Sequence, residues 1–325
     1  MKTLATIFIA RGLTRDVVLK ICGITRHQYY HQPIGLQGGA RPSENTIWFN
    51  SGQLLKVSNT SVIEEIRNAY RHPWVDYGYQ KMTWFLKLQG FMINQKKVYR
   101  LMKENYLLKA KNRRKPRVFA RYRVITPECP LQVLEMDIKF IWVAKHQRHV
   151  YLLTILDVFT RTALSWHLGY SITRHEVKSL WEHVILHYLQ PANLLEKGIH
   201  IEIRNDNGSQ FAAQLIQDFF RENYLNQVFT HPYTPQETGH IESFHSILDR
   251  AILGKTFWTI EDAKISLSSF YNFYNNHRIH SSTANLPPVW FWELFEKNQI
   301  IMEKRKYGVK FRLKIPHYQL ICLKK

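Results

Sequence analysis

The sequence predicts an α/β fold in which a mixed five-stranded sheet carries helices on both faces and is preceded by small all-helical modules. Polar and apolar residues alternate over residues 134–140, which is the period of a β-strand. The apolar runs 150–158 and 162–168 predict two more strands, and residues 175–188 have helical spacing. The stretch 201–250 adds a strand, a helix, a strand and a second helix. This order of elements is typical of a mixed sheet covered by helices.

The charge of the chain indicates its class of partner. Lysine and arginine number 45 against 25 acidic residues, which gives a formal net charge of +20. An excess of this size indicates binding to a polyanion such as DNA, and the alternative is a merely solvated basic surface. The hydrophobic content of 45% excludes a disordered chain, and three widely spaced cysteines argue against a zinc site or a disulfide framework. Because the sequence has no stretch with the length of a membrane span, we expect a cytoplasmic, nucleoid-associated protein without a membrane partner.

Composition and periodicity divide the chain into six segments. They are a helix-turn-helix-like unit at 1–33, a linker at 34–60, a helical DNA-binding module at 61–108, a basic linker at 109–130, the α/β core at 131–295 and a basic tail at 296–325. The tail alternates basic and apolar residues after residue 307, which fits either a strand-like DNA contact or a disordered end.

Two basic segments are candidate DNA contacts. The predicted helix at 95–105 places cations on one face and apolar residues on another, as a recognition helix does, although an ordinary amphipathic surface helix has the same pattern. Its cations are Lys96, Lys97, Arg100 and Lys103. The run 109–123 contains no acid and includes Arg113, Arg114 and Lys115. Because like charges at this density repel one another, we expect this run to extend along DNA phosphates.

Three acids are the candidate catalytic residues. Asp137 lies in the first core strand, Asp206 ends the fourth strand just before an Asn-Gly turn, and Glu242 lies one turn into the last helix of the 201–250 stretch. Short hairpins between the first three strands and a right-handed crossover to the fourth place the first and fourth strands side by side. We therefore expect Asp137 and Asp206 to be neighbours, with Glu242 approaching from the helix.

Converging carboxylates predict a metal site. Acids without basic partners repel one another, and two bridging cations remove that cost. Hard oxygen ligands favour Mg²⁺ or Mn²⁺. Two such ions, held roughly 4 Å apart, carry out in-line displacement at a phosphodiester, because one activates the attacking oxygen and the other stabilises the leaving oxygen. The predicted metal ligands are thus Asp137, Asp206 and Glu242.

Each acid also has a purely structural interpretation. Asp137 fits a surface charge of its strand, Asp206 fits a turn residue, and Glu242 fits an acid that stabilises the N-terminus of its own helix. Asp157 competes with Asp137 for the first catalytic position. It ends a strand four residues before Arg161, however, which favours a turn residue or an ion pair.

These acids make the chain similar to a known family. It resembles the OrfB transposases of bacterial insertion sequences of the IS-three group, which share the retroviral-integrase core. The family has an acid on its first core strand, a D-N-G-S-x-F element, and a glutamate in an E-S-F element, with 35 residues between the last two acids, as here. The matching elements of this chain are Asp137, residues 206–211, residues 242–244, the run 156–161 and the block 274–280.

The resemblance implies a ribonuclease-H-like fold and a DDE transposase, a polynucleotidyl transferase. Such an enzyme cleaves element ends to 3′ hydroxyls in a metal-dependent reaction, and these hydroxyls then attack target DNA. The resemblance also implies magnesium, a homo-oligomer that holds both element ends, and an OrfA partner or fusion. Arg250 and Arg278 are further candidate DNA contacts. The family usually has lysine seven residues after the glutamate, where this chain has Asp249, and this leaves the activity of this copy open.

Two alternative functions stay open. One is a metal-dependent ribonuclease-H-like endonuclease that cuts DNA without joining it, and a joining assay separates it from a transposase. The other is a catalytically weak copy that binds DNA as a repressor. The presence of all three acids argues against the repressor.

Overall fold

The computed structural model describes residues 1–31, 42–50, 52–109, 126–230, 238–305 and 308–324, with residues 322–324 described by their backbone alone. The chain divides into two compact units, Met1–Glu44 and Asn45–Lys325. No helix within the described ranges combines the length and the apolar character that crossing a membrane requires.

The first unit is helical. Its helices are α1 (Lys2–Ala10), α2 (Arg15–Ile21) and α3 (Arg26–Tyr30). A capping box begins α3, in which the Thr25 hydroxyl accepts from the Gln28 backbone N–H and the Gln28 side chain accepts from the Thr25 N–H. The predicted helical character of this unit is therefore confirmed.

The second unit begins with a hairpin and three helices. Strands β1 (Asn45–Asn50) and β2 (Gln53–Ser58) pair antiparallel, helices α4 (Asn59–Arg71) and α5 (Tyr79–Leu88) follow, and β3 (Phe91–Met92) adds to β1 ahead of α6 (Gln95–Glu104). The three helices agree with the prediction. The linker predicted at 34–60 is wrong for residues 45–50 and 53–58, which form strands. Gly52 takes a φ of +87° beside the hairpin turn, so part of the glycine content that indicated a linker belongs to that turn.

A five-stranded sheet forms the centre of the second unit. Its strands are β4 (Val133–Val143), β5 (Arg148–Asp157), β6 (Ala163–Gly169), β7 (Ile201–Asn205) and β8 (Leu225–Phe229). Their spatial order is β6-β5-β4-β7-β8. The first three strands are antiparallel, whereas β7 runs parallel to both β4 and β8. The sheet is therefore mixed, and its first and fourth strands are neighbours as predicted.

Helices cover both faces of this sheet. They are α7 (Arg174–Val184), which continues in a π-helical turn, α8 (Gln190–Ala192), α9 (Ser209–Ala212), α10 (Gln214–Glu222), α11 (Gly239–Ile252) and α12 (Ile260–Asn276). Helices α7 and α10 pack on the face that carries Leu134 and Met136, because the two helices and these residues share one buried cluster. A second cluster joins α11 and α12 to Leu152 and Leu156 of β5, whose side chains lie on the opposite face. The predicted ribonuclease-H-like α/β fold is confirmed.

The C-terminal segment is folded. It consists of α13 (Pro288–Glu296), the antiparallel pair β9 (Ile300–Arg305) and β10 (Gly308–Leu313), and a 3₁₀ helix (His317–Lys324). Phe311 and Leu313 of β10 pack on the buried cluster that contains Met82 and Leu86 of α5. Residues 300–305 and 308–313 of the tail predicted at 296–325 form a hairpin, which agrees with the strand-like alternative, and the module at 61–108 shares a core with it. The alternation of basic and apolar residues is that of a strand with one buried face.

Candidate active site

The parallel pairing of β4 with β7 ends just before the two predicted aspartates. Glu135 of β4 pairs with Arg204 of β7 in the last rung of the ladder, so Asp137 and Asp206 each lie two residues beyond that rung. Asp206 directly follows β7 and is exposed. Its Oδ1 accepts a hydrogen bond from the Gly208 backbone N–H at 3.1 Å, which is the turn contact that its structural interpretation predicts.

Asp137 is held from two sides. Its Oδ1 accepts a hydrogen bond from the Ile138 backbone N–H at 2.8 Å. Its Oδ2 lies 3.3 Å from Nδ1 of His245 on α11. Helix α11 therefore contacts β4 at the residue predicted to begin the catalytic set.

Glu242 lies in the first turn of α11 and close to Asp137. Burial raises the pKa of its carboxyl, and the negative charge of Asp137 raises it further, while the neighbouring His245 lowers it. The structure thus brings Asp137 and Glu242 close to each other, whereas Asp206 lies beyond the paired residues of β4 and β7. Within the described ranges, no three His, Cys, Asp or Glu side chains are arranged to hold a metal ion. The three-carboxylate site stays a prediction.

Two further contacts fix α11 along β4. The Glu135 carboxylate accepts a hydrogen bond from the Ile241 backbone N–H at 2.7 Å. Lys139 Nζ forms an ion pair with Asp249 Oδ1 at 2.8 Å. Three successive positions on one face of β4 therefore contact α11: residues 135, 137 and 139 contact residues 241, 245 and 249, respectively. Two residues of a strand and four residues of a helix both advance roughly 6–7 Å, which allows this matched spacing.

Glu135 is almost completely buried, and it was not predicted as a site residue. Burial raises its pKa to about 7, and the hydrogen bond from Ile241 together with the charges of Arg161 and Arg204 limits this rise. The pKa of His240 falls to about 3, mainly through burial and then through the same two arginines. The alternation in the sequence placed Glu135 on the same face of the strand as Asp137. That shared face was the signal that could have identified Glu135 as a site residue.

Asp157 is the last residue of β5, and its carboxylate contacts the turn that follows, in line with the turn role that the sequence favoured. It is fully buried, and its carboxylate accepts hydrogen bonds from the backbone N–H groups of Leu131 at 3.1 Å and Thr160 at 2.9 Å. Burial raises its pKa, and the hydrogen bonds from Thr160 and Leu131 oppose that rise. These bonds occupy the carboxylate within the turn, which supports the choice of Asp137 over Asp157.

The predicted basic face of α6 is only partly available to DNA. Lys96 and Lys103 are exposed. The Lys97 ammonium instead donates to the Asn45 carbonyl oxygen at 2.6 Å. A guanidinium nitrogen of Arg100 lies 3.5 Å from Oε1 of Glu104. The predicted DNA contacts Arg113, Arg114 and Lys115 lie outside the described residues.

The two arginines near the core form ion pairs with one acid. Asp76, which precedes α5, pairs with Arg278 at 2.9 Å and with Arg250 of α11 at 3.3 Å. Arg278 is 2% exposed, so the prediction that it contacts DNA is corrected: it is a buried partner of Asp76. Arg250 is half exposed and stays a candidate DNA contact.

Three family models match the chain. Models described as integrase core domain match residues 127–235 and 223–288. Together these two matches span residues 127–288, which include the five-stranded sheet and the helices α11 and α12. A model described as an HTH-like domain matches residues 57–116, which include the helices α4 to α6. These matches agree with the resemblance found in the sequence.

Similar proteins carry insertion-element names. The chain is 23% identical to the insertion element IS476 uncharacterized 39.2 kDa protein of Xanthomonas euvesicatoria, over 84% of this chain and 70% of that protein. It is 24% identical to the putative transposase InsK for insertion sequence element IS150 of Escherichia coli strain K12, over 75% of this chain and 85% of that protein. A solved simian T-cell lymphotropic virus intasome, in complex with PP2A regulatory subunit B56 gamma, aligns with a TM-score of 0.43 and 17% identity, over 69% of this chain and 73% of that one. The chain is thus similar to proteins named for insertion elements, as its sequence motifs predicted.

Proposed function

We propose that this protein is a DNA transposase that cleaves the ends of its insertion element to 3′ hydroxyls and joins them to target DNA. The observation that carries the proposal is the approach of Glu242 to Asp137 within an integrase core domain. Burial and the charge of Asp137 both make the ionised form of Glu242 costly, which is unfavourable in a merely structural site. Such a cost is expected where a positive charge enters during function.

The donor set suits a divalent metal. Asp137, Asp206 and Glu242 offer hard carboxylate oxygens, and a cation would favour the ionised form of Glu242, whose pKa is raised by burial and then by the charge of Asp137. Mg²⁺ or Mn²⁺, as two ions, would supply activation of the attacking oxygen and stabilisation of the leaving oxygen. Asp206 would join the other two acids by turning its carboxylate away from the Gly208 N–H, and its position just after β7, the neighbour of β4, supports this.

Other residues of the chain would hold the DNA. The net charge of +20 favours phosphate binding, and the exposed cations Lys96, Lys103 and Arg250 are available for it. We further propose that the protein acts as a homo-oligomer on the two element ends, with an OrfA partner or fusion, in the cytoplasm at the nucleoid.

An end-cleavage and joining assay tests the proposal. The substrate is a labelled duplex that carries the inverted repeat flanking the gene, with a plasmid as target and Mg²⁺ in the buffer. We expect 3′-hydroxyl ends and joined product, and chelation by EDTA should abolish both. Asp137→Asn, Asp206→Asn and Glu242→Gln should each be inactive.

Glu261→Gln is the matched control, because it neutralises an exposed acid on α12. Retained activity in any of the three acid variants would contradict the assigned site. Cleavage without joining would instead indicate the endonuclease, and tight binding to element ends without cleavage would indicate the repressor.

A further inference from the structure

We propose that His245 is a positioning residue for Asp137, which orients the Asp137 carboxylate before DNA and metal arrive. This inference rests on the proposed function, because it assigns His245 a role in the same site. His245 lies one helical turn after Glu242 on α11, so both side chains face β4. It is 8% exposed.

The two oxygens of Asp137 have different neighbours. Oδ1 accepts the Ile138 backbone N–H at 2.8 Å, and Oδ2 lies 3.3 Å from Nδ1 of His245. A carboxylate engaged through both oxygens has a defined orientation. A catalytic group held in this way needs less reorganisation when its substrate binds.

The other ring nitrogen of His245 indicates that the residue does more than fill space. Nε2 is buried, and it has no hydrogen-bond partner among the residues that the structure describes. A buried polar atom without a partner costs stability. The nearby positions of α11 that face the core are Ile241, Phe244 and Leu248, so an apolar ring would fit this layer at lower cost. A phenylalanine at position 245 would, however, lose the contact with Asp137.

Three substitutions separate the two ring nitrogens. His245→Asn places an amide nitrogen near the position of Nδ1 and can still face Asp137. His245→Gln has a longer side chain, and its amide nitrogen lies nearer the position of Nε2. His245→Phe keeps the ring volume and removes both nitrogens.

The experiment measures three properties of each full-length variant: kcat and KM for end cleavage, Mn²⁺ affinity of the DNA-free protein by electron paramagnetic resonance, and thermal unfolding. We expect His245→Phe and His245→Gln to lower kcat and Mn²⁺ affinity roughly 10–100-fold, because losing a partner that orients a metal-binding side chain has effects of this size. KM for DNA should stay unchanged. His245→Asn should stay within roughly threefold of wild type in both properties.

Two results would overturn the inference. One is a His245→Phe protein that keeps wild-type kcat and Mn²⁺ affinity. The other is a His245→Asn protein as impaired as His245→Phe. Unfolding at the wild-type temperature or above in His245→Phe would show that the lost activity is not lost folding. Should wild type fail to cleave DNA, the proposed function fails, whereas the Mn²⁺ affinities of wild type, Asp137→Asn and the His245 variants still test His245.

Discussion

Helix α11 contacts two charged regions, which differ in how their charges are arranged. The acidic region consists of Glu135, Asp137 and Glu242, which lie at or near the interface of α11 with β4. The Asp76 junction consists of Asp76, Arg250 and Arg278, where α11 meets the segment before α5. In the first region the like charges of Asp137 and Glu242 lie close together, whereas in the second an acid pairs with two arginines.

The pKa directions show this difference. Burial raises the pKa of Glu242, and Asp137 adds to that rise, so the charged form of Glu242 is costly in the fold. Burial also acts to raise the pKa of Asp76, but the charges of Arg278, Lys81 and Arg250 lower it below its ordinary value. The acidic region therefore carries a cost that suits the proposed function, while the Asp76 junction stabilises the fold.

The largest expected effect separates activity from stability. Glu242→Gln should reduce end cleavage by roughly 10³-fold or more, which corresponds to about 4 kcal/mol of activation free energy. Because the substitution removes a repulsive charge, its free energy of unfolding should equal or exceed that of wild type. Chemical denaturation of both proteins at pH 7.5 checks this. A clear loss of stability would show that the carboxylate of Glu242 is a structural partner.

The Asp76 junction should behave in the opposite way. Asp76→Asn leaves the buried guanidinium of Arg278 without its carboxylate, and breaking such a pair should lower the free energy of unfolding by roughly 3 kcal/mol. Arg250→Gln removes the half-exposed partner of the same acid and should cost less than about 1 kcal/mol. Denaturant unfolding of the two variants measures the difference. Equal losses would mean that burial does not distinguish the two arginines.

The contribution of Glu135 to the stability of the fold depends on pH. Its pKa in the fold is about 7, above the ordinary value near 4.5, so the folded state binds the extra proton between these pH values. Its contribution to stability therefore falls as pH rises from about 4.5 to 7, whereas Asp76, with its lowered pKa, loses its contribution as pH falls. Glu135→Gln keeps an acceptor for the Ile241 N–H and should be more stable than wild type by roughly 1–3 kcal/mol at pH 8.

Urea unfolding of Glu135→Gln and wild type at pH 5 and pH 8 measures this contribution. The two proteins should differ little at pH 5, where Glu135 is protonated in the fold. A less stable Glu135→Gln protein at pH 8 would mean that the ionised carboxylate is needed to hold α11.

The sequence predicted those features that depend on local patterns. Alternation over residues 134–140 gave strand β4 and the face shared by Glu135 and Asp137, because a strand has a fixed period of two. The turn after Asp206 and the helix that carries Glu242 followed from equally local signals. Fold class and strand order then followed from the order of the elements.

Features that depend on distant partners were missed. Arg278 has the sequence pattern of a surface cation, but its partner Asp76 lies about 200 residues away and holds it in the interior. His245 follows Phe244 on a helix with an apolar stripe, so its contact with Asp137 depends on how α11 packs on β4. The C-terminal hairpin was ambiguous because the residues of α5 that bury its apolar face are far away in the chain.

The smallest expected effect concerns Asp249, which occupies the position where the family usually has lysine. The ion pair of Asp249 with Lys139 is more than half exposed on the Asp249 side, so Asp249→Asn should change the free energy of unfolding by less than about 1 kcal/mol. It would free the Lys139 ammonium beside Asp137 for a DNA phosphate. Affinity for element-end DNA should rise a few-fold, and the slope of log affinity against log salt should steepen by about 1.

Two further variants test this explanation. Asp249→Lys should raise the affinity for DNA further, although its ammonium repels Lys139. Glu261→Gln neutralises an exposed acid on α12 and should leave the slope unchanged. Equal slopes in Asp249→Asn and Glu261→Gln would place Lys139 outside the DNA path and confine its role to holding α11 on β4.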